Sequence, residues 1–149
     1  QDAGSAHPDC LQIYGGVDGV TIRGASFHDC EDSFIGAYPD FGDIRNVVVE
    51  SSTFRNITDH TYWLSQWGQE GHSYRCDGIA IRGNTFDPNN PSGLEPYSPL
   101  RTECWNMVVE GNTFLGSGPG QSVCNNWHQA WNAVWRDNTF KRGGACSTG

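Results

Sequence analysis

The sequence predicts an all-β solenoid of stacked parallel strands, five coils long, and three observations carry that expectation. Five segments align without gaps: Val17 to Phe27, Ile44 to Phe54, Cys76 to Phe86, Cys104 to Phe114 and Ala130 to Phe140. Their closing phenylalanines recur every 26 to 32 residues, a period at which one supersecondary unit can stack on its copies. Within each segment alternate residues are apolar, and 19 Gly and 7 Pro among 149 residues favour many short strands joined by turns.

Each segment carries one inward pair: Val20 and Ile22, Val47 and Val49, Ile79 and Ile81, Met107 and Val109, Ala133 and Trp135. A strand too short to bury its own face becomes stable by stacking, at about 4.8 Å per strand. Equivalent positions then become ladders. Phe27, Phe54, Phe86, Phe114 and Phe140 are expected to form an aromatic column in the core. Asn84, Asn112 and Asn138 are expected to stack at a turn, in the left-handed conformation that Asn tolerates, each amide bonding its copy. Ala25 and Ser52 continue that column without the amide.

The outward column Arg23, Glu50, Arg82, Glu110, Arg136 alternates in sign. Stacking places opposite charges side by side, at about 0.2 to 1 kcal/mol per exposed pair, and so enforces register. A second outward column, Thr21, Val48, Ala80, Val108 and Val134, is small and mostly apolar, a lateral docking face for another chain. Between repeats, Asp32 to Tyr38 and Thr61 to Trp67 read as a further strand of each coil, with Leu11 to Tyr14 as their N-terminal equivalent. Ser65 to Tyr74 and Asp87 to Arg101 read as surface loops. Residues 1–149 are thus expected to form a single domain, with no separate capping domain.

Six cysteines lack the CxxC spacing of structural zinc and read as disulfides, which places the chain in an oxidising compartment, secreted and extracellular. Cys76 and Cys104 hold the same position in adjacent coils, so their Cα atoms fall within disulfide range. Proximity along the coil path suggests Cys10 with Cys30 and Cys124 with Cys146. The formal charge of −8, without a Lys/Arg cluster, argues against a nucleic-acid partner, and no run of 18 apolar residues predicts membrane insertion. Gln1 to Ala6 hold neither a basic nor an apolar leader segment, so the chain reads as processed or trimmed.

Segments such as VDGVTIRGASF (17–27) and CDGIAIRGNTF (76–86) resemble the right-handed parallel β-helix family, including pectate-lyase-like and phage-tail β-helices, whose coils read NVTIRGNTF. The resemblance covers nearly the whole chain. It implies the fold; the same coil serves lyases, hydrolases, tailspikes and structural fibres, so activity must be argued from a site.

The candidate site is acidic. His7 and Asp9 precede LQIY, Asp29, Glu31 and Asp32 precede SFIGAY, and Asp59 and His60 precede TYWLSQW. With Asp9, Asp32 and Asp59 on consecutive coils, three carboxylates could hold Ca²⁺ or share acid and base work with His7 and His60. No other cofactor is expected. The stretch HPDCLQ (7–12) also resembles a motif of secreted and phage β-helix proteins thought to act on glycans, which concerns His7, Asp9 and Gln12. The plainer reading is that an Asp before a strand caps an Asx turn.

Tyr62, Trp63, Trp67 and Trp127 are candidate sugar-stacking residues, from an aromatic set that also includes Tyr74, Trp105 and Trp131; the competing reading has them covering the core. No GxSxG elbow occurs, and no histidine has a Ser or Cys partner at diagnostic spacing. Asn56-Ile57-Thr58 satisfies the glycosylation sequon, which matters only in a eukaryotic secretory route.

Two functions follow. The first is an extracellular structural module that self-associates, end to end into a fibre or filament, because six residues before His7 and nine after Phe140 are too few for capping helices. The second is a glycan-binding or glycan-cleaving β-helix of the polysaccharide lyase or glycoside hydrolase type, with a polysaccharide as partner and the chain a fragment of a longer protein. Only the second reading would make the protein an enzyme.

Overall fold

The computed structural model describes residues 10–30, 33–57, 62–66, 74–87, 100–101, 104–115 and 132–140. The protein is all-β, and the strands of its first three repeats recur in the same order. The first repeat holds β1 (Leu11–Tyr14), β2 (Val17–Asp18), β3 (Thr21–Arg23) and β4 (Ser26–Cys30). The second holds β5 (Ser33–Tyr38), β6 (Ile44–Arg45), β7 (Val48–Glu50) and β8 (Thr53–Ile57). The third holds β9 (Tyr62–Gln66), β10 (Cys76–Asp77), β11 (Ala80–Arg82) and β12 (Thr85–Asp87). The fourth contributes β13 (Leu100–Arg101), β14 (Val108–Glu110) and β15 (Thr113–Phe114), and the fifth β16 (Val134–Arg136) and β17 (Thr139–Phe140).

Each strand pairs with its copy one repeat away, and every pairing is parallel. The sheets run β1-β5-β9-β13, β2-β6-β10, β3-β7-β11-β14-β16 and β4-β8-β12-β15-β17. The register follows the gapless alignment: Ile22, Val49, Ile81, Val109 and Trp135 are successive partners, as are Phe27, Phe54, Phe86, Phe114 and Phe140. A slip of one residue would turn every inward side chain outward, so the alternation of apolar residues is what holds this register.

The chain turns between sheets at single residues with positive φ. One set is Gly19, Asn46, Gly78, Asn106 and Asn132, with φ from 51° to 76°; the other is Gly24, Ser51, Gly83, Gly111 and Asp137, with φ from 50° to 64°. Both sets use the small or Asx-type residues for which the left-handed region costs least. This corrects the sequence expectation for Asn84, Asn112 and Asn138. The left-handed residue is the one before each of them, Gly83, Gly111 or Asp137. The Asn is thereby freed to turn its side chain into the core.

There the amides form the expected ladder. Asn84 Nδ2 donates to Asn112 Oδ1 (3.1 Å) and to the Val49 carbonyl (2.9 Å), while Asn112 Nδ2 donates to Asn138 Oδ1 (3.0 Å) and to the Ile81 carbonyl (2.9 Å). The backbone N–H of Ser52, Asn84 and Asn112 each donates to the Oδ1 of the next Asn at 2.9 Å. Ser52 extends the column by accepting the Ala25 N–H at Oγ (3.1 Å), so a hydroxyl does part of the amide's work in the N-terminal repeats.

Between the sheets lies one apolar cluster that includes Ile13, Phe34, Ile44, Val47, Val49, Phe54, Ile79, Ile81, Phe86, Met107, Val109 and Phe114. The phenylalanines stack face to face: Phe27 on Phe54 at 4.9 Å, Phe54 on Phe86 at 5.0 Å and Phe86 on Phe114 at 5.1 Å between centroids, with interplanar angles of 7° to 10°. The strand spacing dictates that distance. Phe34, from β5, reaches across and tilts against Phe54 (5.6 Å) and Phe86 (6.0 Å).

Cys76 and Cys104 are bonded, with Cα atoms 4.7 Å apart, in the column that Val17 and Ile44 also occupy. Cys10 is also disulfide-bonded. The side chain of Cys30, and both Cys124 and Cys146, lie outside the described residues. Two of the expected loops are shorter than the sequence suggested. Ser65 and Gln66 belong to β9, Asp87 ends β12, and Leu100–Arg101 is a strand whose Leu100 pairs with Leu64. Such short strands carry no periodicity of their own; the neighbouring strand sets them.

At the corner after β1 the backbones of two repeats touch. A Cβ at Gly15 would overlap the Gly42 carbonyl and amide, which are backbone atoms without a rotamer to give. Gly15→Ala is therefore expected to lose about 1 to 3 kcal/mol by overpacking and to break the Gly16 N–H bond to the Asp43 carbonyl (2.9 Å). Denaturant midpoints of the variant and the parent check this; an unchanged midpoint would contradict so close an approach.

Candidate functional site

His7, Asp9, Asp32, Asp59, His60, Trp67 and Trp127 lie outside the described residues, as does Trp131. Tyr62 and Trp63 belong to β9, where the register pairs Tyr62 with Ser33, but their side chains are also outside that description. The strands that bracket the acidic positions are placed. Cys30 pairs with Ile57 and Ser33 with Tyr62; in sequence, residues 31–32 fall between β4 of the first repeat and β5 of the second, and residues 58–61 between β8 of the second and β9 of the third. Among the described residues no group of three or more His, Cys, Asp or Glu side chains is arranged to hold a metal ion.

Three groups of polar or aromatic side chains are described on the outside. The first sits where β4 and β8 end. His28 Nδ1 donates to Asp29 Oδ2 at 2.6 Å, and Asn56 Nδ2 donates to Asp29 Oδ1 at 3.0 Å. Asp29 and Asn56 both have positive φ (59° and 55°), a third left-handed corner in these two repeats. The Asn56 bond, then that of His28, holds the Asp29 carboxyl below the usual carboxylate range. Asn56 is the acceptor of the sequon, and its amide nitrogen is engaged by this bond. His28 and Asp29 are both largely solvated, with side chains 68% and 62% exposed.

The second group is a clasp at the corner before β6. Asp43 accepts the Arg75 backbone N–H at Oδ1 (2.8 Å) and Arg45 Nη2 at Oδ2 (2.5 Å), which lowers its pKa, the Arg75 bond contributing most. The Arg75 guanidinium lies 5.6 Å from the centre of the Trp105 ring, a cation–π distance. Beside it runs a second polar ladder, with Asn46 donating to Asp18 (2.8 Å), Asn106 to Asp77 (2.8 Å) and Asn132 to Asn106 (3.2 Å). Apart from the Asp43–Arg45 pair, every contact joins one repeat to the next. Such a clasp orders a corner.

The third group is aromatic. Tyr14 and Tyr38 close β1 and β5 as register partners, their rings 5.7 Å apart, and Phe41 lies 6.3 Å from Tyr14 on the turn after β5. Neither Tyr14 nor Phe41 was among the sugar-stacking candidates. The signal was present, since LQIY and SFIGAY both end in tyrosine, but only the register makes those two residues neighbours.

The alternating charge column is in register, and ion pairs form at three of its four steps, the step from Glu50 to Arg82 excepted. Arg23 meets Glu50 at 2.5 Å, and Glu110 is approached by Arg82 (2.8 Å) and Arg136 (2.5 Å). The arginines are 45% to 72% exposed, so these pairs set register more than they stabilise. The second outward column ranges from exposed Thr21 and Val134 to buried Ala80. Among the described residues no helix is long and apolar enough to cross a membrane. Comparison with protein-family models, curated proteins and solved structures finds no match to this chain.

Proposed function

We propose that the protein is an extracellular structural module, a right-handed parallel β-helix of five coils that self-associates end to end through its first and last coils. One observation carries the reading. Along a single inward column, Val20 of the first repeat is 37% exposed, whereas Val47 and Met107 are 0% and Ile79 is 2% exposed. The neighbouring columns behave alike: Ile22, Phe27 and Trp135 are only partly buried, while Val49, Ile81, Val109, Phe54, Phe86 and Phe114 are fully buried. The outermost described strands, β3 and β16, therefore present apolar side chains next to backbone edges, which a further parallel strand would cover. A second copy offers such a strand with matching inward residues. Because the two ends differ, the contact is heterologous and continues into a filament unless the rotation closes. The Cys76–Cys104 bond and the bonded state of Cys10 support an oxidising, extracellular setting.

Sedimentation velocity over a concentration series, with electron microscopy of the same samples, tests the proposal. The expected result is a mass that grows with concentration and elongated particles, with Val20→Glu returning the protein to a folded monomer whose thermal midpoint no longer depends on concentration. A stable monomer at micromolar concentration, unaffected by Val20→Glu, would overturn it.

A further inference from the structure

We propose that Tyr14, Tyr38 and Phe41 form a binding platform for an uncharged sugar of a glycan chain. The platform is exposed and fixed. Phe41 is 77% and Tyr14 44% exposed, the highest and among the highest values of the large apolar and aromatic side chains described. The rings of Tyr14 and Tyr38 are inclined at 39° and those of Tyr14 and Phe41 at 44°, so the strip is a shallow bent surface.

Its backbone has little freedom to fold the rings away. Tyr14 precedes Gly15, whose backbone lies against that of Gly42, directly after Phe41. The Gly16 N–H bonds the Asp43 carbonyl, and Asp43 is itself held by Arg45 and the Arg75 N–H. An aromatic ring held in water by a rigid corner forgoes the free energy of burial, which a ligand recovers when it covers the ring.

The surroundings select the ligand. An aromatic face carries negative quadrupole charge and attracts the polarised C–H bonds that one face of a pyranose presents, while the sugar's hydroxyl rim needs polar partners. Polar groups border the rings. The Tyr14 hydroxyl lies 3.3 Å from Gln12 Oε1, and the exposed Asp40 adjoins Phe41 in the chain. With a formal charge of −8 on the chain, uronate and sulfated sugars are repelled.

Isothermal titration with neutral xylo-, gluco- and manno-hexaoses, and gel retardation by the corresponding polymers, test the site. At least one neutral series is expected to bind, with oligogalacturonate inert. Phe41→Ala and Tyr14→Ala should each weaken binding tenfold or more, and Phe41→Tyr should retain it, all without change in thermal midpoint or sedimentation. Failure of every neutral glycan to bind, a preference for oligogalacturonate, or unchanged affinity in Phe41→Ala would overturn the proposal. So would a Phe41→Ala variant that changes assembly mass in place of glycan affinity, since a second copy would then be the occupant. Loss of assembly in Val20→Glu leaves these outcomes unaffected, so the two proposals fail separately.

Discussion

Phe86→Ala is expected to cost about 3 to 5 kcal/mol of folding free energy, a large share of the roughly 5 to 15 kcal/mol that holds a domain folded. Phe86 is fully buried and central to the column. It stacks on Phe54 and Phe114 at 5.0 and 5.1 Å and meets the tilted ring of Phe34 at 6.0 Å, so truncation removes contacts on three sides. The cavity cannot collapse easily, because the neighbouring rings are fixed by strands whose spacing is set by backbone hydrogen bonds. Phe27→Ala supplies the contrast. Phe27 stacks on one side only and is partly buried, so its loss should cost clearly less. Urea denaturation of both variants decides the matter; equal costs at the two positions would show that the column is not packed as a continuous stack.

How much of this was legible in the sequence depends on how many physical demands each position meets. The inward valines, isoleucines and phenylalanines meet one, burial, and their repeat alone placed them in register from Phe27 to Phe140. The bond between Cys76 and Cys104 was legible for the same reason. Asn84 meets two demands, a buried amide and a nearby left-handed corner, and the sequence assigned both to one residue. A side chain that must reach inward to bond Val49 and Asn112 leaves the corner to the glycine before it.

The candidate site was less legible because it lies where the repeats differ in length. Asp32 and Asp59 each follow a phenylalanine by five residues, yet the next strands pair Ser33 with Tyr62, so counting from the two sides gives different equivalences. Phe41 illustrates the same point from the other direction. It belongs to no repeat position, and only the contact of Gly42 with Gly15 brings its ring beside Tyr14. Ladders follow from a pattern, whereas a site built on a corner follows from where two backbones happen to meet.

Asn112→Leu is expected to cost about 2 to 4 kcal/mol despite the gain in apolar volume, because it strands a buried N–H and removes several neutral hydrogen bonds. The Asn84 N–H donates to Asn112 Oδ1 at 2.9 Å, and Asn112 Nδ2 in turn serves the Ile81 carbonyl and Asn138. Leucine fills the space and offers none of these partners. A second substitution separates hydrogen bonding from shape. Asn112→Asp keeps an acceptor for the Asn84 N–H, but when ionised it buries a charge and faces the Asn138 Oδ1 without a proton to offer. Burial raises the pKa of such a carboxyl above its unfolded value near about 3.9. The folded state then binds the extra proton, so the stability of Asn112→Asp relative to the parent should be greatest below the unfolded pKa and fall as pH rises through the folded one. Denaturant titrations of both variants at several pH values measure this. A pH-independent difference for Asn112→Asp, or a Leu variant as stable as the parent, would mean that the amide ladder does not hold these repeats together.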